Sequence, residues 1–310
     1  MQAPRVCKRN LCEVDICFAK TDSSAVSESL RYSPNTSKSW AASFKTLTYL
    51  EEINIEEYDD DRKDDSTMWY RSIYPDIKLI RPKELDPDVS RGFSYRGLVV
   101  GPNVFLHWAF RILQIMGGDF VRQDVGNFRH AKEIIGAEIL VNASGLGARR
   151  LGPDPHVHGV RGQTIFVNCT TNDEHCYKRA VIRQGSQYTY AIPRQSSRGI
   201  ILGGMSEQHN VSSEVDPSTC LDIIKRVSRM TKGMFDWVDL EKDISLDIVE
   251  FRPARHGGMQ LEKERDVIHA YGVGGLGYLY TFGVAEQVKL LAKGGKIPAK
   301  LWREIVKLQQ

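Results

Sequence analysis

No glycine occurs before Gly92, although the 310-residue chain holds 26 of them. A G-x-G-x-x-G turn between a first strand and a first helix is therefore excluded there, because that turn needs Cβ-free backbone at fixed offsets. No apolar run approaches the roughly 20 residues of a membrane-spanning helix, and no apolar signal segment opens the chain. Charge of one sign is scarce as well. The net charge of +3 argues against nucleic acid or an acidic membrane as a partner. Six cysteines, at 7, 12, 17, 169, 176 and 220, lack Cys-x-x-Cys spacing, so reduced thiols are expected rather than a zinc site. His156-Val157-His158 offers two metal ligands with no third nearby, which again gives no metal site.

What is present reads as an ordinary globular chain. Hydrophobic content of 41% and charged content of 26% suit a soluble protein with one large or two medium domains. Residues 14–20 form a short β-rich run. Residues 51–65 carry nine acidic side chains and are expected to be a solvated surface loop. Phe105, Trp108, Ala109, Ile112 and Ile115 recur at helical spacing between Asn103 and Met116, a pattern that predicts a core helix. A short helix over Ala131–Ile135 and a strand over Ala137–Ala143, leaving through Ser144-Gly145, follow. Tyr188–Ile192 and Gly199–Leu202 read as paired strands. Asp216-Pro217 caps a helix with Cys220, Ile223, Ile224 and Val227 on one face. Asp247–Phe251 then returns as a strand that delivers Arg252. The alternation of elements predicts a mixed α/β fold.

The densest chemistry lies from His269 to Gly283. Gly272, Gly274, Gly275 and Gly277 open onto a helical pattern of Val284, Val288 and Leu291. Glycines let backbone approach a flat ligand, and a helix N-terminus behind them aims unpaired N–H groups at negative charge. Arg252-Pro253-Ala254-Arg255 just upstream supplies guanidinium groups suited to a carboxylate. The combination describes a pocket for an anionic cofactor beside an anionic substrate.

Arg252–Arg255 and Tyr271–Gly277 resemble the C-terminal signature of the FAD-dependent D-amino-acid oxidase family, which includes D-aspartate oxidases. Val141–Gly145, Arg161-Gly162-Gln163-Thr164, and Tyr190–Arg194 with Gly203-Gly204 follow the family's order. The resemblance implies a discontinuous Rossmann-like FAD-binding domain, assembled from residues 1–38, 126–166 and 254–310. Interleaved with it is a mixed-sheet substrate-binding domain from residues 39–125 and 167–253. It also implies hydride transfer from a D-amino acid to FAD, with oxygen as the final electron acceptor and hydrogen peroxide, ammonia and a 2-oxo acid as products. By position, Arg252 is expected to bind the substrate carboxylate, Tyr190 to add a phenolic hydrogen bond, and the Gly275 carbonyl to accept from the amine. Gly272, Gly274, Gly275, Leu276, Gly277, Tyr278 and Leu279 are expected to line the flavin. Val141, Ser144, Gly145, Arg161 and Gln163 are expected to contact other flavin parts or shape its pocket.

The chain departs from the family pattern in places. The family's first strand, glycine turn and helix have no counterpart, so residues 14–20 take the place of its second strand. Ser33-Pro34-Asn35-Thr36 is a poor version of its flavin loop, and Gln260 stands where relatives carry arginine. A truncated or degenerate relative that binds no flavin is therefore the alternative. A glycine or sarcosine oxidase fits less well, because Tyr190-Ala191-Ile192-Pro193 is paired with Arg252-Pro253-Ala254-Arg255. Met205-Ser206 supplies no arginine for an acidic side chain, which favours a neutral D-amino acid. The family implies a cytoplasmic or peroxisomal place, without an S-K-L type C-terminus here. A homodimer remains an open assembly.

Overall fold

Leu50–Asp59, the first part of the acidic stretch, is a strand, β1, inside a large sheet. The expectation of a solvated loop over 51–65 is corrected to that extent. Ile53, Ile55, Glu57 and Asp59 alternate onto a buried face, which is the period-2 pattern of a strand. The charges on β1 have partners on neighbouring strands. Arg179 binds Glu56 at 2.9 Å, and the Tyr95 hydroxyl donates to Glu57 at 3.2 Å. Composition misled here because alternation, not net charge, decides whether a strand can be buried.

The computed structural model describes residues 50–61, 76–169, 179–194, 198–239 and 242–297. The β-rich run at 14–20 and the loop at 33–36 lie outside them. Further strands are β2 (Lys78–Leu79), β3 (Arg91–Val100), β4 (Leu140–Asn142), β5 (Val157–Asn168), β6 (Arg179–Gln184) and β7 (Thr189–Arg194). They are followed by β8 (Gly199–Gly203), β9 (Ile244–Arg255), β10 (Gln260–Glu264) and β11 (Val267–Tyr271). The helices are α1 (Pro102–Ile115), α2 (Phe128–Ile135), α3 (Ala148–Leu151), α4 (Pro217–Met230) and α5 (Gly277–Ala292).

Two sheets result. The larger has eight strands in the order β2-β3-β1-β6-β7-β8-β5-β9 and is mixed, with β1 and β6 parallel. α4 covers part of it. Asp216 caps that helix by accepting from the Ser218 N–H, satisfying one of the N–H groups a helix start leaves unpaired. Cys220, Ile223 and Val227 then bury against Ile165, Ala191, Ile200 and Leu202. The smaller sheet has three strands, β10-β11-β4, with β11 and β4 parallel. Leu291 of α5 packs against Leu261 and Ile268, with Val284 and Val288 beside them. Both β5 and β9 run their full lengths in the large sheet, so residue 166 falls within one strand and residue 254 within the other.

α1 differs from its expected role as a core helix. None of its residues is buried, and Leu106 and Ile115 are exposed. Its aromatic positions meet another helix instead. The Phe105 ring lies 6.4 Å from Tyr278 and 6.5 Å from Phe282, both edge-on, at the start of α5. Helical spacing revealed a face but not how deep that face lies. Cys220 is a buried free thiol, and the cysteines at 7, 12, 17 and 176 lie outside the described residues.

Candidate active site

β9 carries Arg252 opposite Val160 of β5, and its guanidinium lies over Gly162. A Cβ at Gly162 would sit 2.4 Å from Nη1 and 2.5 Å from Nη2 of Arg252. Close approach, rather than φ, is what glycine permits here. Arg252 Nη1 donates to the Met205 carbonyl at 3.1 Å. On its other side lies the glycine turn, where a Cβ at Gly275 would stand 3.4 Å from Arg252 Cδ.

Tyr190 stands on β7 opposite Gly203 of β8. Its ring lies against Gly203 and Gly204, where an added Cβ would come within 2.4 Å of the ring at either position. Burial raises the Tyr190 phenol above its ordinary value, while the charge of Arg252 and a hydrogen bond to it oppose the rise. Tyr190 is thus a neutral hydroxyl beside a cation, suited to donate to a carboxylate. Tyr188 lies 5.3 Å away, ring to ring, and burial pushes its phenol up to about 12. Arg194, given no role from sequence, belongs to the same neighbourhood. Burial holds its guanidinium below the usual arginine value, and its charge acts on both Tyr190 and Tyr278. The clue was strand alternation, which places 190 and 194 on one face of β7.

The cofactor side is built at the ends of two parallel strands. β4 leaves through Ser144-Gly145, with Gly145 at φ +58°, and β11 leaves through Gly272 at φ +81° and Gly274 at φ +64°. These left-handed values favour glycine. The 3-10 turn Gly274–Leu276 leads into α5, whose N-terminus has no side-chain cap. A Cβ at Gly277 would meet nothing within 4 Å. Uncapped N–H groups above open glycine backbone fit an anionic, flat group.

Side chains that sequence reasoning passed over hold these turns. Asn142 Oδ1 accepts from the Ser144 hydroxyl at 2.6 Å and from its N–H at 3.3 Å, while Asn142 Nδ2 meets His269 Nδ1 at 3.2 Å. Asp154 accepts from Arg255 Nε at 2.8 Å, the Tyr271 hydroxyl at 2.9 Å and the His156 N–H at 2.9 Å. Burial works against its charge, but those hydrogen bonds and Arg255 hold the carboxyl below the usual aspartate range. Burial and Asp154 together push the Tyr271 phenol up. The His158 ring is stacked on His256 at 4.1 Å.

The expected residues do not all gather in one place. Arg252, Tyr190, Gly275 and the Gly272–Gly277 turn converge. Ser144 and Gly145 stand beside Pro253, where a Gly145 Cβ would lie 3.5 Å from the proline ring. Val141, Tyr278 and Leu279 are exposed. Arg161 and Gln163 are fully buried and turn toward residues 205–220. Arg161 Nε donates to the Ser212 carbonyl, Nη2 to the Glu214 carbonyl and Gln163 Oε1, and Nη1 faces Met205 Sδ and Glu207. The donors of Arg161 are therefore spent on protein acceptors.

A mixed eight-stranded sheet thus brings Arg252 against a glycine turn at the carboxyl ends of two parallel strands. The sequence model of the family described as "FAD dependent oxidoreductase" matches residues 44–290, and the chain belongs to that family. A D-amino-acid oxidase of Schizosaccharomyces pombe is 28% identical over 240 residues, 74% of this chain and 68% of the relative. A D-aspartate oxidase of Talaromyces thermophilus is 27% identical over 229 residues, 71% of this chain and 59% of the relative. The chain thus spans about two thirds or less of the curated relatives it matches. The crystal structure of glycine oxidase from Bacillus cereus aligns with TM-score 0.64 at 15% identity, over 86% of this chain and 81% of that one. That likeness shows the fold.

Proposed function

We propose that this chain oxidises a neutral D-amino acid with FAD, yielding a 2-oxo acid, ammonia and hydrogen peroxide. The carrying observation is the meeting of Arg252 and Tyr190 with the glycine turn at Gly275. A substrate carboxylate on Arg252 would bring its Cα toward the cofactor side, and a hydrogen bond to that charged group is worth about 1.5–3 kcal/mol. Tyr190 orients the carboxylate, and the Gly275 carbonyl receives the amine. Gly272, Gly274 and Gly277, with the N-terminus of α5, are the residues that would hold the cofactor. When bound, FAD supplies the hydride acceptor and the route to oxygen. The protein's share is orientation in a near-attack geometry.

A second reading, a relative that binds no flavin, draws on the lack of any glycine before Gly92. The absorbance spectrum of the purified protein, with and without added FAD, separates the two. A flavin band bleached anaerobically by D-alanine supports the oxidase. A colourless protein that FAD does not reconstitute refutes it. D-aspartate is the comparison substrate, since the positive charge of Arg194 acts on Tyr190; a higher kcat/KM for D-aspartate than for D-alanine would overturn the neutral preference.

A further inference from the structure

Met205 touches two arginines. Its sulfur lies 3.3 Å from Arg161 Nη1, and its carbonyl accepts from Arg252 Nη1 at 3.1 Å. Arg161 holds the segment that carries Met205 along its whole length. Besides the side-chain bonds to the Ser212 and Glu214 carbonyls at 2.8 and 2.7 Å, its backbone pairs with Glu207 in both directions, at 2.9 and 3.0 Å. Gln163 extends the arrangement. Its Oε1 accepts from Arg161 Nη2 and from the Asp216 N–H, and its Nε2 donates to the Asp216 carbonyl at 2.8 Å. Arg161 is 2% exposed and Gln163 0% exposed, so both groups depend on these partners for satisfaction.

We propose that Arg161 is a positioning residue for the substrate arginine, acting through Met205, and not a contact of the cofactor. This role of Arg161 rests on the proposed reading of Arg252 as the carboxylate-binding group. A guanidinium with its donors on Ser212, Glu214, Gln163, Glu207 and Met205 has none to offer elsewhere. What it determines is where residues 205–214 run, and hence where the Met205 carbonyl stops Arg252. Lysine cannot replace it, because one ammonium does not reproduce a planar fork that reaches two carbonyls and an amide at once.

The test compares the FAD-loaded wild type with Arg161→Lys and Gln163→Leu. It measures the Kd of propionate (a substrate-like carboxylate without the amine), the Kd of FAD, the Tm, and KM and kcat for D-alanine. Weaker propionate binding and a higher KM, each by roughly tenfold, the worth of about one charged hydrogen bond, with FAD affinity within about twofold, support the proposal. Gln163→Leu is expected to shift the same quantities in the same direction by less. Weakened FAD binding with propionate unchanged overturns it in favour of a cofactor contact. A lowered Tm with both affinities unchanged overturns it in favour of a simple brace, and a wild type that binds no propionate overturns it as well. A wild type that binds propionate but oxidises no D-amino acid refutes the oxidase reading alone, and the propionate comparison still decides the role of Arg161.

Discussion

On the eight-stranded side of the site, arginine side chains hold turns by donating to backbone carbonyls; on the three-stranded side, left-handed glycines shape the turns and the Asn142 and Asp154 side chains brace them by accepting. Arg226 of α4 shows the first manner again, reaching the Tyr188 carbonyl at 2.8 Å, Thr189 Oγ1 at 2.8 Å and the Gly204 carbonyl at 3.0 Å. It thereby fixes both β7 and the glycine corner under Tyr190. The glycine turn at 272–277 instead relies on positive φ at Gly272 and Gly274 and on the stitch made by Asp154, Arg255 and Tyr271. The two halves should therefore fail differently. Loss of an arginine loosens the eight-stranded side, whereas gain of a Cβ at a left-handed glycine strains the three-stranded side.

The largest effect is expected from Gly272→Ala. It places a side chain at φ +81° with its Cβ 2.7 Å from Arg255 Cβ, and strain of this kind costs about 1–3 kcal/mol before any clash. Thermal melting should show the loss, and FAD titration should show weaker binding; an unchanged melt would mean the turn adapts freely. Asp154→Asn comes next. Losing a charged hydrogen-bond acceptor costs about 1.5–3 kcal/mol, visible in denaturant unfolding near neutral pH. Because the folded-state carboxyl lies below its ordinary value, its stabilisation is full above about pH 4 and fades as pH falls through the folded value. The gap between wild type and variant should narrow with acid, and a gap constant down to the acid limit would refute the ionic account.

Gly162→Ala should separate activity from stability. The atoms an added Cβ would meet are the tip of Arg252, a flexible end that can swing aside at little cost to the fold. KM for the D-amino acid should rise several-fold while Tm barely moves; a large fall in Tm would show that Arg252 cannot yield. The smallest effect belongs to Glu207→Gln. That carboxylate is partly exposed and reaches Arg161 at 3.4 Å, so its pairing is worth under about 1 kcal/mol. A larger loss in an unfolding titration would mean that charge balance, and not the backbone carbonyls, holds the Arg161 clamp.

Much of the frame was legible from local pattern. The cap at Asp216, the hairpin of β7 and β8, the strand bearing Arg252 and the glycine turn leading into α5 each depend on residues within a few positions of one another. β1 was hidden because nine acidic residues masked an alternating Ile53-x-Ile55 pattern whose charges find partners on distant strands. Asp154 was hidden for another reason. Its partners Arg255 and Tyr271 stand 101 and 117 residues away, and no local spacing marks an aspartate as their common acceptor. Arg161 was noticed for its motif, but its direction was not readable.

By itself the sequence determined most of the elements, the strand that ends in Arg252 and the glycine turn, since periodicity, capping and Cβ-free backbone are properties of short segments. Only the tertiary structure decided which groups those segments meet. It carried Met205 between Arg161 and Arg252 and set Asp154 beside Arg255 and Tyr271. Such meetings depend on sheet order and crossover paths, which bring together residues 44 to 117 positions apart and leave no trace in any one stretch of chain.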